Sequence, residues 1–287
     1  MSEQYLPEIQ RYINKMPSLS TTVSKVMEVC NQANTSANDL NKIISLDPVL
    51  AGNVLKLINS AYYALPNHIS SLTRAIIILG INTVKNLALS TAVLGFLKDN
   101  GNDSLSMDNF WAHSICVGVT AKMIAAEYKI PVNQREEFFL AGLLHDLGKI
   151  PIVHCFPTEY TRCLALCHEQ KISLHDAETL VFGFNHQHCG NIIADKWKLN
   201  DNIIEAMKHH HEPEKSDEVH RLLISSVAIA DVYANIFEIG SAGNDYISEE
   251  QILGILEQSE LSWGVIAQKH EEIQEAIDKA SIFLQAS

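Results

Sequence analysis

The sequence predicts an all-α protein. Apolar residues recur mainly at helical spacing, and the alternating pattern of β-strands is scarce. Helix-capping residues recur along the chain, and the eight prolines stand where helices would begin or end. With 287 residues, of which 47% are hydrophobic and 19% charged, the chain can bury a substantial core. We therefore expect a compact arrangement of packed helices.

Start signals mark the helices of the first third of the chain. Ser36, followed by Asp39 three residues later, forms a helix-capping pair. Asp47 and Pro48 supply a cap and a proline at the first position of the next helix, ahead of "VLAGNVLKLINS". One apolar face of this helix is formed by Leu50, Val54 and Leu57.

Polar segments divide the chain into three predicted parts. The segment "KDNGNDSLSMDN", at 98–109, is polar and contains glycine, as loops between domains often do. It separates an N-terminal helical subdomain, 1–100, from a second helical subdomain, 101–240, which holds the functional candidates. The loop "GSAGND", at 240–245, precedes a more charged group of helices at 241–287, which we expect to pack on the rest.

Charge and composition exclude some functions. The net charge of −13 argues against nucleic-acid binding, which normally requires a basic face. A phosphorylated small ligand remains compatible, because a bound cation can supply the positive field. No secretion signal is evident at the start, and the apolar run "AIIILGI" at 75–81 is too short to span a membrane. We expect no membrane association.

The six cysteines show no CxxC pair and no disulfide framework spacing. Free thiols of this kind are typical of a reducing compartment, so we expect a cytoplasmic location. The stretch "CLALCH", at 163–168, offers two thiols and an imidazole on one helix. It is either a small metal site or an amphipathic helix with buried thiols, and the second interpretation is the simpler one.

Several helical segments direct polar side chains into an apolar face. In "NFWAHSICVGVTAKMIAA", helical spacing places His113 on the face of Val117 and Ile124. The other faces combine His186 with Ile193 and Trp197, Met207 with His210 and the adjacent His211, and Val227 with Asp231. His188 and His209 fall outside these faces.

The stretch "AGLLHDLGKIPI" ends an apolar run on His145 and Asp146. Its helix should begin at the predicted capping pair of Asn133 and Glu136. A buried imidazole and carboxylate are costly unless each finds a partner or a cation.

Seven inward polar side chains therefore come from four or five helices. Each alone is compatible with a hydrogen-bonded core histidine or a capping aspartate, but together they favour a metal centre inside a helical bundle. Five imidazoles and two carboxylates suit iron or manganese best, with zinc, nickel or magnesium as alternatives. Seven ligands exceed the needs of one tetrahedral ion, so we expect two divalent ions that share Asp146.

The motif "HDLGK", with a histidine before it and Asp231 after it, resembles the HD superfamily of metal-dependent phosphohydrolases. Together with "NHQHCGNIIADKW" and "HHHEP", it resembles the two-metal branch that includes the HD-GYP phosphodiesterases. From about residue 6 to 240 the chain is similar to the HDOD domain, the HD-related output domain of bacterial signalling proteins. That family's N-terminal marks are "MPSLSTTVSKVMEV", "IISLDPVLAGNVLKLINSAYY" and "ISSLTRAIIILGINTVKNLAL".

This resemblance implies an HD-like helical bundle packed against an N-terminal helical bundle, and it implies roles for individual residues. One ion would take His113, His145, Asp146 and Asp231, and the other would take Asp146, His186, His210 and His211. Asp146 and Lys149 would be the catalytic residues, with Lys149 near the substrate phosphate; a lysine after a turn is otherwise ordinarily solvated. Asn109 stands where some HD-GYP enzymes place a glutamate for a third metal, and no GYP signature follows "HHEP".

Two functions are compatible with these features, and a purely structural metal site is a third interpretation. The first is metal-assisted hydrolysis of a phosphoester or phosphoanhydride, in a phosphorylated small molecule or a nucleotide, during bacterial signal transduction. The second is a non-catalytic HDOD output module, with or without metal, that binds a signalling protein or a nucleotide messenger. Only an open coordination position and an accessible pocket would favour catalysis.

Overall fold

The structure is a computed structural model that describes residues 2–16, 18–30, 32, 34–96, 105–244, 249–258 and 262–285. Within these residues it contains helices and no β-strand, which confirms the predicted all-α class. The predicted boundary segment lies mostly outside the described residues, so the division of the chain near residue 100 stays a prediction.

Six α-helices form the first part of the chain. They are α1 (Ser2–Lys15), α2 (Thr21–Cys30), α3 (Ala37–Ile44), α4 (Pro48–Ile58), α5 (Leu72–Leu79) and α6 (Ile81–Phe96). The capping box of Ser36 and Asp39 is present at α3, and Asp47 caps α4 by accepting a hydrogen bond from the Leu50 N–H. These local signals are confirmed because each is satisfied within one helical turn.

Eight α-helices and one 3₁₀ turn form the second part. They are α7 (Met107–Glu127), α8 (Val132–Leu144), α9 (Lys149–Cys155), α10 (Pro157–Gln170), α11 (Leu174–Phe182), α12 (His186–Trp197), α13 (Asp201–His209), the turn Pro213–Lys215 and α14 (Glu218–Ile236). Four further helices follow: α15 (Glu249–Gln258), α16 (Trp263–Gln268), α17 (His270–Ala280) and α18 (Ile282–Gln285).

Two local expectations are wrong. Pro7 lies inside α1, not at its end, and its missing N–H removes one backbone hydrogen bond. Complete burial of Ile9 and Ile13 on the inner face of α1 offsets that loss. The pair Asn133 and Glu136 does not cap α8, because the helix begins at Val132 and Glu136 is buried in an ion pair with a lysine of α7.

A central pair of helices, α7 and α8, organises the second part. Gly118 of α7 and Gly142 of α8 meet where the helices cross, since a Cβ atom on Gly142 would lie 2.7 Å from the Gly118 Cα. The long helix α14 packs on both, and α6 joins the N-terminal bundle to α8. The hydrophobic core consequently runs without a break from Ile9 in α1 to Phe283 in α18.

Among the described residues, one stretch, Val132–Cys155, is long and apolar enough to span a membrane. The helix pair Leu72–Leu79 and Ile81–Gly95 reaches that length only when both helices are counted together, and the pair is bent by 118°. The sequence had suggested no run of that length. In the structure, 89% of the apolar window of Val132–Cys155 is buried inside the protein. It also carries the buried side chains of His145 and Asp146, as expected of a core helix at the centre of a bundle.

Candidate metal centre

The HD motif lies in the tight turn between α8 and α9, pressed against the start of α12. His145 follows the last residue of α8, and Gly148 precedes α9. A Cβ atom on Gly148 would lie 1.9 Å from the His186 carbonyl oxygen and 2.5 Å from the Gly190 nitrogen. Only glycine permits this approach, which brings the motif beside His186.

The structure brings all seven predicted side chains together. The side chains come from α7, the turn between α8 and α9, the start of α12, the end of α13 and α14. Six are buried and one is partly buried: His113, His145, Asp146 and His186 at 0% exposure, His210 at 1%, Asp231 at 4%, and His211 as the partly buried member. Their roles as metal ligands stay predictions.

Asp146 lies at the centre, and its two oxygens face different neighbours. Oδ1 is 3.3 Å from His186 Nε2 and 3.7 Å from His210 Nε2. Oδ2 is 3.2 Å from His145 Nε2 and 3.9 Å from His113 Nε2. The carboxylate therefore faces two groups of imidazoles, one with each oxygen.

Two sets of donor atoms can each hold a cation. The first set is His113, His145 and Asp146, and the second is Asp146, His186, His210 and His211; within each set the donor atoms lie within 4.8 Å of one another. Asp231 joins the first set, because its Oδ1 is 3.0 Å from His113 Nε2. The stretch "CLALCH" contributes to neither set among the described residues, and Cys163 and Cys167 are buried free thiols on α10, as the simpler interpretation expected.

Hydrogen bonds fix the tautomer of three of these histidines. His145 Nδ1 donates to the Gly142 carbonyl at 2.7 Å, and His210 Nδ1 donates to the Ala206 carbonyl at 3.0 Å. His186 Nδ1 donates to the Glu178 carboxylate at 2.6 Å. Because these oxygens accept the Nδ1 protons, each neutral ring presents a lone pair on Nε2.

The lone pairs of His186 and His210 point toward each other, and the Nε2 atom of His211 lies beside them. His186 Nε2 lies 3.3 Å from His210 Nε2 and 3.1 Å from His211 Nε2. Two nitrogen lone pairs at such distances repel unless a proton or a cation lies between them. The donor set therefore fits a metal ion better than it fits a self-satisfied polar core.

Burial and charge shift the pKa values in opposite directions across the cluster. Burial lowers the pKa of His210 to about 4, although the nearby Asp146 carboxylate opposes this shift. Burial and the neighbouring imidazoles hold the pKa of His211 well below its usual range. Both rings are thus neutral near pH 7, the state that a metal ligand requires.

The carboxylates remain ionised. Burial raises the pKa of Asp146, but His145 and Lys149 outweigh it and hold the pKa well below its usual range. For Asp231, burial raises the pKa, but the neighbouring imidazole of His113 outweighs it and lowers the pKa to about 2. Burial opposes protonation of His145, but the charge of Asp146 outweighs it and raises the pKa of His145.

Lys149 is fully buried and lies against Asp146 rather than in solvent. Its Nζ is 2.6 Å from Asp146 Oδ2 and donates to the Ala242 carbonyl at 3.1 Å. The segment that supplies this carbonyl also packs on α7, because the Ser241 N–H donates to the Asn109 carbonyl at 3.0 Å. Lys149 therefore joins the cluster to the chain that follows α14.

Two further residues beside the cluster were not predicted from the sequence. Glu178 of α11 is fully buried and binds His186. His175 lies three residues earlier on the same helix, with its ring 5.2 Å from the ring of His211. Helical spacing could have placed Glu178 on an inward face. It gives no information on which side chain of another helix that face would meet.

Comparisons with known proteins agree with this architecture. The HDOD domain model matches residues 16–213. An HDOD domain protein of unknown function from Geobacter sulfurreducens is 26% identical and covers 97% of this chain and 98% of its own, with a TM-score of 0.75. A candidate phosphohydrolase from Shewanella amazonensis is 20% identical and covers 96% and 98% of the two chains, with a TM-score of 0.73, which shows the shared fold.

One sequence relative matches most of the chain. An uncharacterised protein of Treponema pallidum is 23% identical over 222 residues, which are 77% of this chain and 42% of that protein. The chain thus spans about two fifths of the length of this curated relative. Since the HDOD model matches well over half of the 287 residues, the chain belongs to the HDOD family.

Proposed function

We propose that this HDOD protein binds two divalent cations in the buried cluster and hydrolyses a phosphoester or phosphoanhydride in bacterial signal transduction. The observation that carries the proposal is the convergence of three imidazole nitrogens: His186 Nε2 lies 3.3 Å from His210 Nε2 and 3.1 Å from His211 Nε2. In neutral rings the Nε2 lone pairs of His186 and His210 repel each other, and a cation between them would remove that repulsion.

Two ions fit the donor set better than one. Asp146 turns one oxygen toward each group of imidazoles, so it can bridge both sites. The imidazole-rich set favours iron or manganese, with zinc, nickel or magnesium as alternatives. Bound divalent ions lower the pKa of water and offset negative charge on phosphoryl oxygens.

The chain's own residues supply orientation and charge. The backbone acceptors of His145 and His210 fix the direction of both rings before any ligand binds. Lys149 holds Asp146 Oδ2 and adds one positive charge beside the position where a phosphoryl group would accumulate negative charge. A phosphorylated small molecule or nucleotide suits this site, whereas the net charge of −13 opposes a polynucleotide.

Near-complete burial favours the second candidate, a non-catalytic HDOD output module that binds a signalling protein or nucleotide messenger. Six of the seven side chains expose 4% or less of their surface, so a substrate reaches them only if the surrounding helices move. For either function we place the protein in the cytoplasm, since its six cysteines are free thiols.

Metal analysis and phosphodiesterase assays test the proposal together. We expect the purified protein to contain two divalent ions per chain and to hydrolyse at least one substrate in a panel of phosphodiesters and nucleotides. The double variant His145→Ala/Asp146→Ala should lose both metal and turnover. A matched control is His188→Ala/Asp195→Ala, which removes the same residue types from exposed positions on α12 and should retain both.

The outcomes separate the candidate functions. Bound metal without turnover on the whole panel would favour the output module. Absence of metal after reconstitution with iron, manganese and zinc would contradict the metal centre itself. Turnover that survives in the His145→Ala/Asp146→Ala variant would show that the catalytic site lies elsewhere.

A further inference from the structure

We propose that Glu178 is a positioning residue of this cluster: it holds His186 in the one tautomer and orientation in which Nε2 can bind a cation. This inference deepens the proposed function and rests on its metal centre. Glu178 lies on α11 and belongs to neither predicted ligand set. It therefore acts through His186 and does not itself contact the cation.

A single carboxylate oxygen holds His186 at two points. Glu178 Oε2 accepts the ring Nδ1–H at 2.6 Å and the backbone N–H of the same residue at 2.8 Å. Both groups are fully buried, so water does not compete for either bond. The two bonds together fix the ring relative to the start of α12.

The position of His186 explains why a side chain from another helix is needed. His145 and His210 donate Nδ1–H to carbonyls three and four residues earlier on their own helices. His186 is the first residue of α12, so no preceding helical turn offers such a carbonyl. Glu178 supplies the missing acceptor from α11, across the turn that joins the two helices.

Loss of this acceptor would let the ring change tautomer. With its proton on Nε2, His186 would donate to Asp146 Oδ1, now 3.3 Å away, and the ligand position would be closed by an internal hydrogen bond. Glu178 prevents this, because its carboxylate accepts a proton from Nδ1 and cannot donate one. The cation-binding lone pair is thereby kept available before metal binds.

Charge supports the same role. Among the described residues, Glu178 Oε1 has no hydrogen-bond partner and the carboxylate forms no ion pair with a lysine or an arginine. A fully buried carboxylate with so little compensation is costly. Three carboxylates, Glu178, Asp146 and Asp231, thus lie beside these imidazoles with one ammonium group, Lys149, to offset them. A divalent cation supplies the missing positive charge.

Cobalt titration of the full chain tests the inference without any activity assay. Co²⁺ affinity would be measured by competition with a chromophoric chelator for wild type, Glu178→Ala and Glu178→Gln. We expect affinity to fall about 10- to 100-fold in Glu178→Ala. Glu178→Gln should lose less, because its amide oxygen can still accept from Nδ1 but carries no charge.

The matched control is Glu136→Gln, which changes another buried glutamate, on α8, that pairs with Lys122. It lies nine residues before His145, and its loss should leave cobalt affinity unchanged. Nitrogen-15 spectra of labelled histidine in the metal-free proteins report the tautomer directly. We expect the His186 proton on Nδ1 in wild type and on Nε2 in Glu178→Ala.

The outcomes of the cobalt titration test the metal centre and the role of Glu178 separately. If wild type binds no cobalt, the proposed metal centre is wrong. If wild type binds cobalt but Glu178→Ala and Glu178→Gln bind it equally well, the metal centre stands and the role of Glu178 is overturned. If Glu178→Ala does not fold, Glu178→Met, which keeps the length of the side chain without an acceptor, carries the test, and an affinity within twofold of wild type would refute the inference.

Discussion

At the scale of single residues, the buried pair of Asp146 and Lys149 is the most consequential contact. Both side chains are fully buried, and among the described residues Lys149 Nζ has a single further acceptor, the Ala242 carbonyl. An ammonium group at 0% exposure is tolerated only while a carboxylate compensates it. The pair therefore couples the candidate metal centre to the stability of the fold.

Removal of one charge from this pair should be more harmful than removal of both. In metal-free protein we expect Asp146→Asn to lower the free energy of unfolding by about 3 to 5 kcal/mol, because it leaves the Lys149 ammonium buried without its counter-charge. Asp146→Asn/Lys149→Met should recover part of this loss. Urea denaturation of the three chelator-treated proteins provides the measurement, and a double variant no more stable than the single one would contradict the explanation.

At the scale of elements, two close backbone contacts set the distances between the ligand-bearing helices. Gly118 and Gly142 let α7 and α8 cross at van der Waals contact, and Gly148 does the same for the motif turn and α12. His145 lies three residues after Gly142, and His113 lies five residues before Gly118. The distance between the imidazoles of His113 and His145 consequently depends on the absence of side chains at the crossing.

A methyl group at this crossing should disturb both stability and the cluster. A Cβ atom on Gly142 would also lie 2.8 Å from the Val117 carbonyl carbon, so Gly142→Ala should lower the free energy of unfolding by about 1 to 3 kcal/mol. Gly52→Ala is the control, since Gly52 is exposed on α4 and a Cβ atom there would meet nothing within 4 Å. It should be neutral or stabilising by about 0.5 to 1 kcal/mol.

Urea denaturation of the two alanine variants separates the steric effect at the crossing from the general effect of replacing a helical glycine with alanine. If Gly142→Ala were as stable as wild type, the two helices would be able to separate without cost. The crossing would then not determine where His145 lies.

At the scale of the whole molecule, the cluster joins elements that are distant in sequence. Its side chains come from α7, from the turn between α8 and α9, from α12, from α14 and from the end of α13. Lys149 also connects the cluster to the chain after α14, through its hydrogen bond to the Ala242 carbonyl. The N-terminal helix also belongs to this assembly, because Lys196 of α12 donates to the backbone carbonyls of Ile13 and Met16 at 2.6 Å. A bound cation would thus stabilise the whole fold and not only the cluster.

Metal should therefore raise the melting temperature. At a free-ion concentration about 100 times the dissociation constant, one binding site stabilises the folded state by about 2.7 kcal/mol. We expect chelator-treated protein to gain a few degrees in Tm when manganese or iron is added. Calcium, which prefers oxygen ligands, should have little effect. Differential scanning calorimetry provides the measurement, with His145→Ala/Asp146→Ala as the variant whose Tm should not respond; an equal response in that variant would place the binding site elsewhere.

The sequence alone determined the helical class and the side of each helix on which the polar residues lie. Burial of His113, His186, His210 and Asp231, together with the exposure of His188, follows from spacing within one helix. Helical periodicity is a local property of the backbone, so it can be read from a short stretch of residues. The local rules for prolines and caps failed at Pro7, which lies inside α1, and at Asn133, because α8 already begins at Val132.

Only the tertiary structure decided which of these side chains meet, and through which atoms. The two-sided contacts of Asp146, the inward position of Lys149 and the bond from Glu178 to His186 all join different turns or helices. The distances depend on how closely the helices pack, and that is set by contacts such as the Gly118–Gly142 crossing. A periodic pattern specifies the direction of a side chain but not its partner, because the partner is fixed by packing between distant segments.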